Sequence, residues 1–300
     1  LDSATAVLGG RTELEVLGLL TALVQKSLVT VEPVEGDRRY RYLETMRTYA
    51  AERLAEDGNL DDAMTSLHRH LVRAVQRHLD EVRLGSMSTG AARLRREMPN
   101  VRASFEFELD RFDLDAAAQL IAPMSEFFAH LEWPIGGWAR EILVHPGAAD
   151  VRFHPHLLAL QGIDQLRHHD RSQLSGLVAE LVGDDQDPEQ LPAEVRRAAL
   201  YLLAMTGRDV AWCRALLSEP AALRDLDEQR SLWLRMVAYC HTMFAGRGEE
   251  IVDDWRAAID AARDRDSEVL RAEAHWGSAL LAQADGRHRE MLEQARALLD

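Results

Sequence analysis

Arg38, Arg39 and Arg41 are the side chains best placed for chemistry in this 300-residue sequence. They fall in the run RRYRYL, where Arg39 and Arg41 alternate with Tyr40 and Tyr42. Guanidinium groups on one short strand suit phosphate oxygens. Reading DNA bases would also need a helix that offers Arg, Asn or Gln to a groove. The helix expected at 13–26 offers mostly Leu, Val and Gly, with Glu13 and Glu15 at its start and Lys26 as its one basic residue. It reads as a helix that packs on protein, so a DNA-binding winged helix stays an alternative.

Other candidate clusters are weaker. His154 and His156 flank Pro155 at a helix start, and no third metal ligand is close in sequence. His168-His169-Asp170 reads as a solvated turn, and His68 and His70 point different ways on one helix. Asp184, Asp185 and Asp187 lack the Gly and Glu positions of a calcium loop. No G-x-x-x-x-G-K-[ST] phosphate cradle and no G-x-S-x-G nucleophile turn occurs, and Gly136-Gly137 reads as a loop. The expectation is a segment without catalytic residues, bound metal or cofactor of its own.

The elements that would position the arginines follow from pattern. Leu14, Leu17, Leu20, Leu23 and Val24 recur at helical spacing over 13–26, and Thr12 can cap that helix. The alternating run 27–32, the turn residues 33–37 and the run 38–43 predict a β-hairpin. Residues 44–57 then predict a helix with Met46, Tyr49, Ala50 and Leu54 as its stripe, ending at Gly58-Asn59. Helix, strand, wing and strand in this order is a winged-helix pattern. Further helices are expected at 60–83, 89–110 and 113–131. Gly207-Arg208, Gly246-Arg247 and Gly286-Arg287 recur at a spacing of 39–40 residues between Ala- and Leu-rich helices. Extending the period backwards reaches His168 and Ala129, the latter just before Trp133-Pro134. A helical hairpin of that length cannot cover its apolar face alone, so the repeats predict a stacked solenoid. Ala272, Trp276, Ala279 and Ala282 supply a small-and-large mixture for close helix pairing.

Composition bounds the rest. Hydrophobic residues make up 47% and charged residues 28%, the balance of a globular chain. The longest apolar run, around Val16 to Val24, is about half of what a membrane helix needs. Net charge is −15, yet residues 1–102 hold 15 basic and 15 acidic side chains, so the excess acid lies beyond them. Cys213 and Cys240 have no CxxC partner and read as buried apolar groups in a reducing cytoplasm. The first residue is Leu1 and the sequence ends inside an apparent helix, so a piece of a longer protein is expected.

Three elements together carry a resemblance: LVQKSLV, the RYRYLE step and RTYAAERLAE, within Leu19 to Gly58. They closely resemble a segment of actinobacterial STAND-type regulators, signal-transduction ATPases that include many transcriptional regulators. LRREMPNVRASFEFELD, with Glu97, Asn100, Arg102 and Ala103, is similar to the segment that follows the wing in that family. The resemblance implies an upstream nucleotide-binding domain using ATP and ADP, a winged helix that packs against it in the resting state, and tetratricopeptide-like repeats. Many relatives carry a Met-His-Asp motif at the helix after the wing. Here it falls on Tyr42, Leu43 and Glu44, so the imidazole is replaced by Leu43, while Glu44 is either a sensor or a simple helix cap. The implied interdomain or nucleotide-sensing residues are Arg38, Arg39, Arg41, Leu43, Glu44 and Arg47.

The sequence therefore predicts a mainly α chain: a partial winged helix with a β-hairpin wing at 1–57, connecting helices at 58–112 and a tetratricopeptide-like solenoid at 113–300. Its expected role is regulatory and cytoplasmic. The expected partners are the upstream nucleotide-binding domain and a protein or small-molecule effector on the repeats. DNA would be touched only through other domains, and no membrane is involved. A plain repeat scaffold without a nucleotide switch is the other alternative.

Overall fold

The computed structural model describes residues 1–34, 37–83, 87–127, 134–168, 173–183 and 251–297, with 191–192, 195–196, 198–199, 202, 232, 235–236, 239 and 243 between the last two. Among the described residues the chain is mainly helical, with one small antiparallel sheet of two strands. It divides into two compact units, Leu1–Leu79 with Gly90–Leu120, and Asp80–Thr89 with Ile121–Asp300.

The first unit opens with α1 (Asp2–Val7) and α2 (Glu13–Gln25). Thr12 caps α2 reciprocally. Its hydroxyl accepts from the Glu15 backbone N–H, and the Glu15 carboxylate accepts from the Thr12 N–H at 2.7 Å. That backbone hydrogen bond holds the Glu15 carboxyl below the usual carboxylate range. Ser27, at φ 57°, turns the chain out of the helix. Strand β1 (Val29–Val34) then pairs with β2 (Asp37–Tyr42), from Val29 opposite Tyr42 to Val34 opposite Asp37. The strands run closer to the turn than the expected 27–32 and 38–43. Pro33 lies within β1 opposite Arg38, because in a two-stranded sheet half of each strand's N–H groups face away from the partner and are not missed.

Helix α3 (Glu44–Glu56) follows, stopped by Gly58 at φ 72°. Helices α4 (Leu60–Arg83), α5 (Met87–Asp110) and α6 (Leu114–Ile121) complete the series. Leu71, Val75 and Leu79 repeat every four residues on α4 and are fully buried, as are Leu94, Val101 and Phe105 of α5. Each such side chain contributes about 1.5–3 kcal/mol by leaving water. The helix expected at 113–131 stops at Ile121 and tightens into a 3-10 turn at Ala122–Glu126, since Pro123 has no N–H for the α-helical ladder.

Polar groups also sit inside this unit. His68 of α4 lies 3.4 Å from the Ser104 hydroxyl, 3.5 Å from Glu108 and, through Nε2, 3.4 Å from Gln119. Burial pushes the Glu108 carboxyl above the ordinary range, against the pull of His68. His70 meets Ser3 at 3.4 Å, and burial holds its imidazole below the usual value.

In the second unit, consecutive helices pair. Helix α7 (Ile135–Leu143) packs on α8 (His154–Arg167), and α8 on α9 (Leu174–Val182). Likewise α10 (Val252–Arg263) packs on α11 (Glu268–Ala284), and α11 on α12 (His288–Ala297). Gly286-Arg287 occupies the turn between α11 and α12, and His168 is the C-cap of α8. Gly207-Arg208, Gly246-Arg247, Ala129 and Trp133 lie outside the described residues, as do both cysteines, His169, Asp170 and the Asp184–Asp187 stretch.

Gly136-Gly137 is not a loop. Both residues lie inside α7, and a Cβ on Gly136 would sit 2.3 Å from the Cβ of Asp164 on α8. The missing side chain is what lets the two helices approach. On α11 the corresponding contact is Gly277, where a Cβ would meet Met236 at 3.1 Å and Ile259 at 3.2 Å. Ala279 and Ala282 are buried beside it.

Two adjacent glycines therefore give opposite expectations. Gly136→Ala destabilises by about 1–3 kcal/mol through overpacking. Gly137→Ala, with open space around its Cβ, stabilises by about 0.5–1 kcal/mol through helix propensity. Urea unfolding of the two variants checks this. The folded state binds the Glu108 proton at a higher pH than the unfolded chain does. Stability from this group is thus present at acid pH and lost as pH rises through the raised value. Glu108→Gln should melt higher than wild type at pH 7, with the advantage shrinking as pH falls toward the ordinary carboxylate value. Thermal melts across that range read the sign.

Candidate functional site

The arginine run lies on β2. Arg39, opposite Glu32, donates from Nη1 to the backbone carbonyl of Arg96 on α5 at 2.9 Å. Arg41, opposite Thr30, stands 3.8 Å from Glu32 in an exposed pair. Arg38 lies opposite Pro33 and is exposed. Arg38 and Arg39 share the wall of a cavity with Arg96, Tyr40 and Tyr42; Arg41 is not part of it.

The remaining candidates gather at the start of α3. Leu43 is the N-cap residue, in extended conformation, and its side chain makes no capping hydrogen bond. Its carbonyl accepts from the Arg47 N–H at 2.9 Å, and both side chains are exposed. Glu44 is the first helical residue, not the cap; its side chain lies outside the described residues. The six candidates thus form two groups, β2 and the start of α3, joined by the chain step from Tyr42 to Glu44.

Around both groups the surface is unusually apolar. Eleven large hydrophobic side chains are exposed among the described residues, and eight of them lie between Leu8 and Tyr49. On α2, Leu14 is 78% exposed and Leu17 lies one turn along on the same side, while Val16 is the buried residue of that helix. On the sheet, Val31 and Tyr42 are exposed on one face. Leu43 and Tyr49 (54% exposed) continue the pattern into α3, where Met46, Ala50 and Leu54 are half-buried. Helix α2 carries no basic side chain.

The pattern 13–26 predicted this helix and its apolar stripe; the structure adds that much of the stripe is uncovered. Sequence reasoning missed the part played by Ser3. Its hydroxyl donates to Glu97 at 3.2 Å and lies beside His70, so it joins α1 to α4 and α5. Asn100 donates to the same Glu97 oxygen at 2.9 Å. Glu97 and Asn100 stood out in the sequence only through the family resemblance of the segment around them. Among the described residues, no group of three or more His, Cys, Asp or Glu is placed to hold a metal ion, and no helix is long and apolar enough to cross a membrane.

No family model matches the chain, and no solved structure matches it. Among curated proteins it is similar to Mb0914c of Mycobacterium bovis and Rv0890c of Mycobacterium tuberculosis, both provisionally named HTH-type transcriptional regulators. Each is 34% identical over 142 residues, 46% of this chain. The match spans 15% of the length of these relatives.

Proposed function

We propose that this chain is a regulatory, protein-docking segment of a nucleotide-switched transcription regulator. Residues 1–57 form a winged-helix module that docks through its apolar surface on a nucleotide-binding domain elsewhere in the same polypeptide. Residues 113–300 form tetratricopeptide-like repeats that receive a protein or small-molecule effector. The observation that carries this reading is the concentration of uncovered Leu, Val and Tyr side chains between Leu8 and Tyr49. Large apolar side chains left exposed in such number within one segment are what an interaction site presents. Arg38, Arg39, Arg41, Leu43, Glu44 and Arg47 are its interdomain or nucleotide-sensing residues. Effector binding at the repeats would act by population shift, favouring an open form in which the docked contact is released. This segment supplies contacts and no covalent step.

The relatives' names raise a second reading, direct DNA contact by this winged helix. Helix α2 argues against it, with Glu13 and Glu15 in its first turn and no basic side chain along it. DNA contact is assigned instead to other parts of the full-length protein.

The test uses both the 300-residue chain and the full reading frame that contains it. In the chain, Leu14→Glu with Leu17→Glu should leave unfolding free energy within about 0.5 kcal/mol of wild type, because the sites are exposed. In the full-length protein the same pair should lower the ADP retained after purification and raise basal transcription from a reporter promoter. Full-length protein that retains no nucleotide, or a double variant that keeps wild-type ADP and basal transcription, overturns the docking reading. A gel shift of the 300-residue chain at low salt should show no tight, salt-sensitive complex; such a complex would favour the DNA reading.

A further inference from the structure

A cavity of about 360 Å³ lies within the first unit, walled by α1, β2 and α5. That volume is at the lower end of small-molecule sites. Its most telling group is Arg39. The partly buried guanidinium spends one N–H on the Arg96 carbonyl and has no carboxylate partner among the described residues. The cross-strand carboxylate opposite it, Glu32, faces Arg41 instead. A partly desolvated cation held only by a neutral carbonyl is best satisfied by an anion.

The rest of the wall suits the same ligand. Tyr40 and Tyr42, which alternate with Arg39 along β2, also line the cavity. Asp2 and Glu97 also line the cavity, and one Glu97 carboxylate oxygen already accepts from Ser3 and Asn100. Arginines outnumber carboxylates on the wall, in a chain whose net charge is −15. Leu20 and Val29 add an aliphatic side against which an organic body can lie.

We propose that this cavity binds a small organic anion, a carboxylate or phosphate carried on a compact apolar body. Arg39 is its charge partner. Because the wall draws on α1, the sheet and α5, an occupant ties these three elements together. The cavity shares Arg38, Arg39 and Tyr42 with the docking surface, but its test reads ligand binding in the 300-residue chain alone and so can fail separately from the docking reading.

The probes are benzoate and phenyl phosphate, with benzamide as the neutral control, titrated calorimetrically into the 300-residue chain. At least one anion should bind about tenfold or more tightly than benzamide. Binding of benzoate alone assigns a carboxylate ligand, and binding of phenyl phosphate alone assigns a phosphate ester. Arg39→Gln should remove that preference, whereas Arg41→Gln, outside the cavity, should keep it. Thermal melts establish that each variant is folded. Equal affinity for benzamide and both anions, an Arg39→Gln chain that binds like wild type, or an Arg41→Gln chain that loses as much, each overturns the proposal.

Discussion

The first unit is governed by a shortage of cover. Two 13-residue helices and two six-residue strands present more Leu, Val and Tyr than the unit can bury. The contrast with the next helices is plain. Helices α4 and α5 place Leu71, Val75, Leu79, Leu94, Val101 and Phe105 wholly out of water, while Leu14, Leu43 and Tyr49 stay in it. Apolar surface left in water forgoes about 25 cal/mol per Å². The docking function proposed for residues 1–57 follows from that imbalance.

Buried polar groups add a different kind of constraint. Ser3 touches both His70 and Glu97, and His68 touches Ser104, Glu108 and Gln119. Each set joins helices far apart in sequence by hydrogen bonds whose geometry tolerates little sliding. The second unit has an equivalent in Arg83, whose Nε and Nη2 reach the buried Glu126 at 3.1 and 2.6 Å, with the guanidinium over the Phe127 ring. These networks fix the register of helices whose apolar stripes alone would permit several.

In the second unit, contact is set by what is absent. Gly136 and Gly277 leave space that Asp164, Met236 and Ile259 fill, and in each case a methyl group would collide or crowd. Helical hairpins that must pair with neighbours gain from such close approach, because dispersion contacts fall off steeply with distance.

Much of this was legible in the sequence where the signal is local. The Thr12 cap, the α2 stripe, the antiparallel strands around Glu35-Gly36, the stop at Gly58 and the 24-residue span of α4 all follow from residue spacing and turn chemistry. Periodicity says which side chains share a face, but not whether another element covers that face. The exposure of Leu14 and Leu17 therefore belonged to the tertiary structure. The same holds for Gly136, which reads as a loop until α8 is seen against it, and for Arg39, whose meeting with the Arg96 carbonyl joins positions 57 residues apart. Short-range sterics and hydrogen bonds are written in neighbouring residues, whereas burial and unsatisfied charge depend on which distant residues the folded chain brings alongside.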